Sequence, residues 1–481
     1  MTLQFLIGGE AVSAANDRSF TRNDPVTGEV ATVAAAASVA DALKAVAAAA
    51  AAFPAWAAMG PAERRKLLNK AADIMDAKTP DFIAAGVAET GATGPWIGFN
   101  VMLAANMIRE AAAMVTQVGG EIIPSNKPGT LAMGVMKPRG VCLGIAPWNA
   151  PVILGTRAVA MPLACGNTLV LKSSELCPAT HRLIGQCFVE AGLPAGVVNV
   201  ISNAPEEAAA VVEALITAPA VRHVNFTGST KVGRVIGRLA GEALKPALLE
   251  LGGKAPLLVL DDADVDAAVN AAVFGCFMNQ GQICMSTERI ILDDSIADEF
   301  AAKFAARAAK LPAGNPRGHV VLGGLCTPGA GEKMDALIAD ALAKGGKVLA
   351  GGTRDGAVVT ATVIDHVTPD MRIYTEESFG PVKPIIRVKG EEEAIRVAND
   401  TEYGLSAAVF GRDIQRAMAV ANRIESGICH INGPTVSDEA QMPFGGVKAS
   451  GHGRFGGKAA IAEFCDLRWI TIEDPNQHYP F

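Results

Sequence analysis

From Val141 onward the chain alternates short aliphatic and β-branched runs with longer stretches whose apolar positions recur at helical spacing. Val141–Ala146, Asn167–Lys172, Val197–Ile201 and His223–Phe226 read as buried strands, with Pro178–Gly192 and Glu206–Thr217 as helices between them. Alternation of this kind predicts a parallel sheet covered by helices on both faces. A second series of the same type runs from Leu257 to about Asn432. Its strands include Leu257–Leu260, Ile290–Leu292 and Pro384–Val388, and its helices include Asp264–Phe277 and Ile296–Leu311. The fold class is therefore α/β, with two parallel-sheet units.

Two segments fit neither series. Gly119–Gly140 holds Pro124, Pro128, Pro138 and several glycines between stretches of β character, and Leu467–Ile472 is a lone strand. Open strand edges seek partners, so the two segments suit contact with another subunit; they suit ordinary surface connections equally well. The uncharged run Ala45–Met59 is mostly Ala and contains Pro54. It is too short and too weakly apolar for a membrane span and is expected to lie on a core as a helix. Met1–Glu10 shows no basic stretch followed by an apolar one, so no signal peptide is expected.

A composition of 50% hydrophobic and 19% charged residues excludes a disordered chain. The net charge of -7 excludes the basic footprint of a nucleic-acid partner. The nine Cys form no CxxC, and the seven His (181, 223, 319, 366, 430, 452 and 478) are scattered. That pattern argues against a disulfide framework or a metal site and for a reduced, cytoplasmic protein. Neither G-x-S-x-G nor H-E-x-x-H occurs, which lowers the serine hydrolase and zinc peptidase readings.

Several short motifs could carry chemistry, and each has a plain alternative. Phe226-Thr227-Gly228-Ser229-Thr230-Lys231-Val232-Gly233 follows a strand and opens a helix; it is a phosphate-binding helix start or a simple strand-to-helix turn. Lys172 and Glu175 end a strand where ribose hydroxyls could be held, or they form a solvated ion pair. A Glu there would repel a 2′-phosphate and favour NAD over NADP. Cys284 in Gly281-Gln282-Ile283-Cys284 is a nucleophile if a base lies nearby, and otherwise a small buried hydrophobe. Glu250, set among Leu249, Leu251 and two glycines, would have its pKa raised by desolvation towards that of a useful base. Asn149 in Pro147-Trp148-Asn149-Ala150-Pro151 is an oxyanion donor or a helix cap. Glu376-Glu377-Ser378-Phe379-Gly380-Pro381 is a polar turn before a strand.

Taken together and in this order, these motifs, with Pro443-Phe444-Gly445-Gly446, resemble those of the NAD(P)-dependent aldehyde dehydrogenase superfamily over nearly the whole chain. The resemblance implies that Cys284 is the nucleophile, Glu250 the general base, and Asn149 with the Cys284 backbone N–H the oxyanion hole. It implies that Lys172 and Glu175 meet the adenosine ribose, Gly228 and Ser229 the pyrophosphate, and Glu377 and Phe379 the nicotinamide riboside. Trp148, Gly233 and Leu251, in the same motifs, fall on the cofactor side. NAD is the implied cofactor, with NADP possible. The implied organisation is an NAD-binding domain (1–118 and 140–251), a catalytic domain (252–450) and an oligomerisation arm (119–139 and 465–481) in a homodimer or homotetramer. Glu250 implies a free acid as product, because members that pass the acyl group to coenzyme A usually lack it. The loop after Ile201 reads Ser-Asn-Ala-Pro without the Gly many members carry, and no cofactor contact is assigned to it.

Asn149, Ile153 and Arg157 are spaced to share one helical face. Arg157 departs from the aromatic residue that many aliphatic-aldehyde enzymes have there. It either faces the substrate, binding a phenol, phenolate or carboxylate, or turns to a structural salt bridge. Trp96, Met442 and Phe444 are candidate ring walls, with core packing as their alternative. Text around the motifs, such as Cys284-Met285-Ser286-Thr287-Glu288-Arg289, is similar to the bacterial branch acting on salicylaldehyde, vanillin and benzaldehyde. The expected reaction is NAD-dependent oxidation of a small aromatic aldehyde. The competing readings are a semialdehyde dehydrogenase with a carboxylate on Arg157, a cofactor-binding protein without catalysis, and a cysteine hydrolase, which lacks a locatable His partner.

Overall fold

The computed structural model describes residues 1–481. Its first sheet has eight strands; in spatial order, five of them are Val198–Ile201, Thr168–Lys172, Val141–Ile145, Val221–Thr227 and Ala247–Glu250. These five run parallel. They are buried almost throughout, which explains their nearly unbroken apolar text. Alternate residues serve opposite faces. Leu143, Ile145 and Val170 pack under the helices Val39–Ala58, Ala208–Thr217 and Thr230–Glu242. Cys142, Leu169 and Leu171 pack under Pro151–Ala164 and Pro178–Ala191.

Val39–Ala58 is long and apolar enough to cross a membrane by length and composition. Here it lies on the sheet, as its sequence predicts, burying Ala42, Ala45, Val46 and Ala49. Ser38 and Asp41 form a reciprocal cap at its start.

The second sheet has seven strands, of which Thr362–Asp365, Val382–Val388, Arg289–Asp293, Pro256–Val259, Ser406–Phe410 and Ile428–Ile431 are adjacent and parallel. Lys347–Ala350 closes one edge antiparallel.

Beyond residue 450 the chain returns to the first sheet. Gly451–His452 pairs antiparallel with Ala247–Glu250, and the helix Ala459–Phe464 follows. The strand that reads as lone in the sequence is not alone. Cys465–Ile472 pairs along its full length with Leu131–Pro138, which pairs in turn with Gly120–Ile123. This three-stranded sheet leaves Ile122, Leu131, Leu467, Trp469 and Ile472 exposed.

Phe304 is fully buried and packs against both Phe277 and Phe300, at ring-centroid distances of 5.7 and 5.8 Å. Removing a buried ring typically costs about 3–5 kcal/mol. Phe304→Ala should therefore lower the urea midpoint markedly while leaving the turnover of folded enzyme nearly unchanged. Parallel urea titrations and rate assays check this.

Candidate active site

The first sheet reverses its strand order at Val141–Ile145: the chain first builds outward on one side, then returns to lay Val221–Thr227 on the other. Ligands of open α/β sheets bind beyond the carboxyl ends of the strands at such a reversal. Asn149, Gly228 and Glu250 follow or end three adjacent strands at that point. A cleft of about 720 Å³ opens there, with Trp148, Asn149, Gly228 and Ser229 on one side and Cys284, Glu377 and Phe379 on the other.

Asn149 is not a helix cap, since the helix beginning at Pro151 has no side-chain cap. Its amide donates to the Gln282 carbonyl (3.1 Å). Its own carbonyl accepts from Trp96 Nε1 (3.0 Å) and Asn279 Nδ2 (2.9 Å). The residue is thus held at both ends, and an amide hydrogen remains beyond the one Gln282 takes.

Cys284 is half-buried and is carried by a turn in which Asn279, Gln280 and Gly281 all have positive φ. Its Sγ lies 3.9 Å from Glu250 Oε2. Gly253 makes the approach possible, because a Cβ there would stand 2.4 Å from the Cys284 carbonyl oxygen. Glu250 is fully buried and its Oε1 has no hydrogen-bond partner. Burial pushes its carboxyl up to about 8, against the opposing pull of Arg157. Burial, and then Glu250 beside it, pushes the Cys284 thiol well above its usual value. The pair therefore rests neutral near pH 7.

Glu377 accepts from the Gly253 N–H (2.9 Å), its backbone carbonyl accepts from Lys333 (2.6 Å), and burial pushes its carboxyl up to about 7. Phe379 meets Trp148 edge-on, at a centroid distance of 5.8 Å. Lys172 and Glu175 are ion-paired. Burial alone would raise Glu175, but the charge and hydrogen bond of Lys172 outweigh it and hold the carboxyl below its usual value. Asn203 also donates to Glu175 (2.9 Å). The loop to which the sequence assigned no cofactor contact therefore touches this group, and nothing in its text signalled it.

Gly228 carries no side chain because Phe226 fills that space, its nearest ring atom lying 2.5 Å from where a Cβ would stand. The helix Thr230–Glu242 starts beside it, capped by Ser229. Gly233 does not line the cleft; it lets this helix settle on Leu251, which does. The arrangement fits a nicotinamide dinucleotide. A helix N-terminus and a side-chain-free turn suit phosphates, and Glu175 and Glu377 can accept from hydroxyls.

The residues expected at the substrate are dispersed. Ile153 is buried, and its neighbour Leu154, not singled out by spacing, lines the cleft. Trp96 is buried, stacks on Phe99 and, with Phe274 and Met278, walls a second, mainly apolar cleft. Met442 is half-exposed. Of the two readings of Arg157, the substrate contact is corrected in favour of the structural salt bridge. The guanidinium is buried, ion-paired with Asp438 and stacked 4.2 Å over the Phe444 ring. Sequence spacing gave no sign of Asp438.

A thiol beside a buried carboxyl, a fixed amide donor and a cleft at the strand-order reversal thus meet in one place. The chain belongs to the aldehyde dehydrogenase family, whose sequence model matches residues 12–470. It is an oxidoreductase of small-molecule aldehydes that uses NAD(P). It is 62% identical over 476 residues to vanillin dehydrogenase of Pseudomonas sp. (strain HR199 / DSM 7063), covering 99% of this chain and 98% of that one. It is 53% identical over 483 residues to salicylaldehyde dehydrogenase of Pseudomonas putida, covering all of both chains. The crystal structure of a salicylaldehyde dehydrogenase from Pseudomonas putida G7 complexed with salicylaldehyde superposes with a TM-score of 0.98 at 52% identity, over 100% of each chain.

Gly281 has φ +72°, and a Cβ there would lie 2.2 Å from the Gly380 carbonyl oxygen. Gly281→Ala should force apart the Cys284 turn and the Glu377–Phe379 loop. A strained backbone position of this sort costs about 1–3 kcal/mol. Both the melting temperature and turnover should fall, as differential scanning fluorimetry and NADH absorbance would record.

Proposed function

We propose that the protein oxidises an aromatic aldehyde of the salicylaldehyde or vanillin type to its carboxylic acid, with NAD as the preferred cofactor. The observation that carries this reading is the 3.9 Å approach of Cys284 Sγ to Glu250 within the cleft that also holds Asn149. Cys284 loses its proton to solvent water, and its sulfur attacks the aldehyde carbonyl. The Asn149 amide and the Cys284 N–H stabilise the oxyanion; a donor of this kind is worth roughly 10²–10³ in rate. When bound, the nicotinamide supplies the hydride acceptor that turns the thiohemiacetal into a thioester on Cys284. Glu250 then removes a proton from water, which attacks the thioester carbonyl and releases the acid and the thiol.

The names of the relatives support the aromatic class. Arg157 gives its one hydrogen bond to Asp438 and stacks on Phe444, apart from the residues that line the Cys284 cleft. The same pairing disfavours the semialdehyde reading, because Asp438 already neutralises the cation a carboxylate would need. The ionised Glu175 supports NAD over NADP. We assign NAD binding to residues 1–118 and 140–251, catalysis to 252–450 and self-association to the arm at 119–139 and 465–481, in a homodimer or homotetramer. Nine free cysteines suit a reducing, cytoplasmic setting.

A panel of salicylaldehyde, vanillin, benzaldehyde and succinic semialdehyde, followed by NADH or NADPH absorbance, tests the assignment. The aromatic aldehydes with NAD should give the highest kcat/KM, and Cys284→Ala should abolish all of it. Higher kcat/KM for the semialdehyde would reverse the substrate reading.

Glu250 is an effective base only when ionised, hence only above its pKa of about 8. Turnover should rise from pH 6.5 to 9 where thioester hydrolysis limits it. Glu250→Gln should lose roughly 10²–10⁴ in kcat and the pH rise with it. Rate profiles of both proteins check this.

Trp469 is 77% exposed on the arm sheet. Trp469→Asp should shift the protein to a smaller species in size-exclusion chromatography with light scattering.

A further inference from the structure

Beneath the cleft lies a cluster of charges that the mechanism above does not use. Lys254, Glu288 and Lys383 are essentially without solvent contact, their side chains being 0%, 2% and 0% exposed. Glu288 accepts from Lys254 Nζ (2.8 Å) and Lys383 Nζ (2.9 Å). It also accepts from the Ser378 N–H (2.7 Å), the Ser378 hydroxyl (2.5 Å) and the Phe379 N–H (3.3 Å). Lys254 donates further to the Glu376 carbonyl (2.6 Å), and Lys383 to Ser286 (3.1 Å). One carboxylate thus ties the start of the second sheet and the strand after Cys284 to the backbone of the Glu377–Phe379 loop. A buried ion cluster is a poor device for stability alone, because desolvation offsets most of its attraction.

The loop itself supplies an independent observation. Phe379 sits at φ +51°, a left-handed conformation that is an outlier for a bulky residue. Such a backbone persists only where its surroundings over-determine it. Both N–H groups that fix it, those of Ser378 and Phe379, end on Glu288. This conformation turns the Phe379 ring edge-on to Trp148 and accompanies the seating of Glu377 on the Gly253 N–H.

We infer that Glu288 is a positioning residue for the dinucleotide. It holds Glu377 and Phe379 in their cleft pose from behind, and so sets hydride transfer without touching the thiol chemistry. The inference rests on the proposed cofactor reading of the cleft. It separates two halves of the site: the loop that meets the nicotinamide riboside depends on Glu288, whereas Asn149 is held by Gln282 and Trp96, and Glu250 by the pairing of its strand with Val221–Thr227 and Gly451–His452.

Glu288→Gln keeps the size but turns an amide NH₂ towards donors. NADH affinity by fluorescence, the kinetic isotope effect with aldehyde-deuterated benzaldehyde, and Cys284 alkylation by iodoacetamide followed by peptide mass are measured on wild type and variant. The NADH Kd should rise about tenfold or more and the isotope effect on kcat should grow, because a small misplacement penalises the transfer step. Alkylation should stay within twofold. An unchanged Kd overturns the inference, and so does a parallel change in Kd and alkylation, which would mean general loosening. If that variant does not fold, Ser378→Ala removes one donor to Glu288 and carries the same test: a several-fold rise in Kd with alkylation unchanged supports the role, and an unchanged Kd overturns it. Wild-type protein that bound no dinucleotide would instead remove the cofactor reading itself, and this inference with it.

Discussion

Two acids face each other in a nearly dry space, the Cys284 thiol and the Glu250 carboxyl, and they cannot both be charged at low cost. Burial raises the pKa of both, and the Glu250 carboxylate raises that of the thiol further. In the mechanism we propose, the nucleophile and the base are therefore used in turn, with the negative charge passing from sulfur to oxyanion and only later residing on the carboxylate. The surroundings preserve this balance. Arg157 favours both anions and Asp438 opposes both, so pairing the two leaves the cleft close to neutral.

The fold brings these groups together through two unrelated sheets. The first offers the carboxyl ends of its strands, where Asn149, Gly228 and Glu250 lie side by side. The second offers the loops before two of its strands, carrying Cys284 and the Glu377–Phe379 turn. Two close contacts need glycine: Gly253 lies against the Cys284 carbonyl, and Gly281 brings the Cys284 turn against the Gly380 carbonyl of the neighbouring loop. A methyl group at Gly253 would open the seam where the thiol meets Glu250, and one at Gly281 would part the two loops of the second sheet. Positions in both halves are thus fixed by backbone geometry more than by side-chain packing.

Much of this was legible in the sequence, for physical reasons. Strands buried on both faces produce unbroken apolar text, so Val141–Ile145 and Thr168–Lys172 were readable to within a residue or so. The cleft residues stood in motifs whose order carried a family resemblance. What stayed hidden was pairing at long range. Arg157 had two readings because no local pattern announces Asp438 in a loop far along the chain. The terminal strand looked unattached because its partner, Leu131–Pro138, is more than 300 residues away in sequence. Helical spacing selected Ile153, whereas the shape of the cleft admits Leu154. Glu288 read as one polar residue in a motif, and its importance emerges only when Lys254, Lys383 and the Ser378 backbone are seen to converge on it.

The late position of Gly451–His452 and Cys465–Ile472 bears on how the chain is made. Gly451–His452 pairs along the outer edge of Ala247–Glu250, and Cys465–Ile472 completes the arm. Both follow the strands they cover by a long stretch of chain, so a growing chain holds Glu250 on an open edge and Leu131–Pro138 half-paired until they appear. Contacts of such separation form slowly and leave edges exposed to other chains. The growing polypeptide is therefore most exposed to aggregation in the interval between these strands and their late partners.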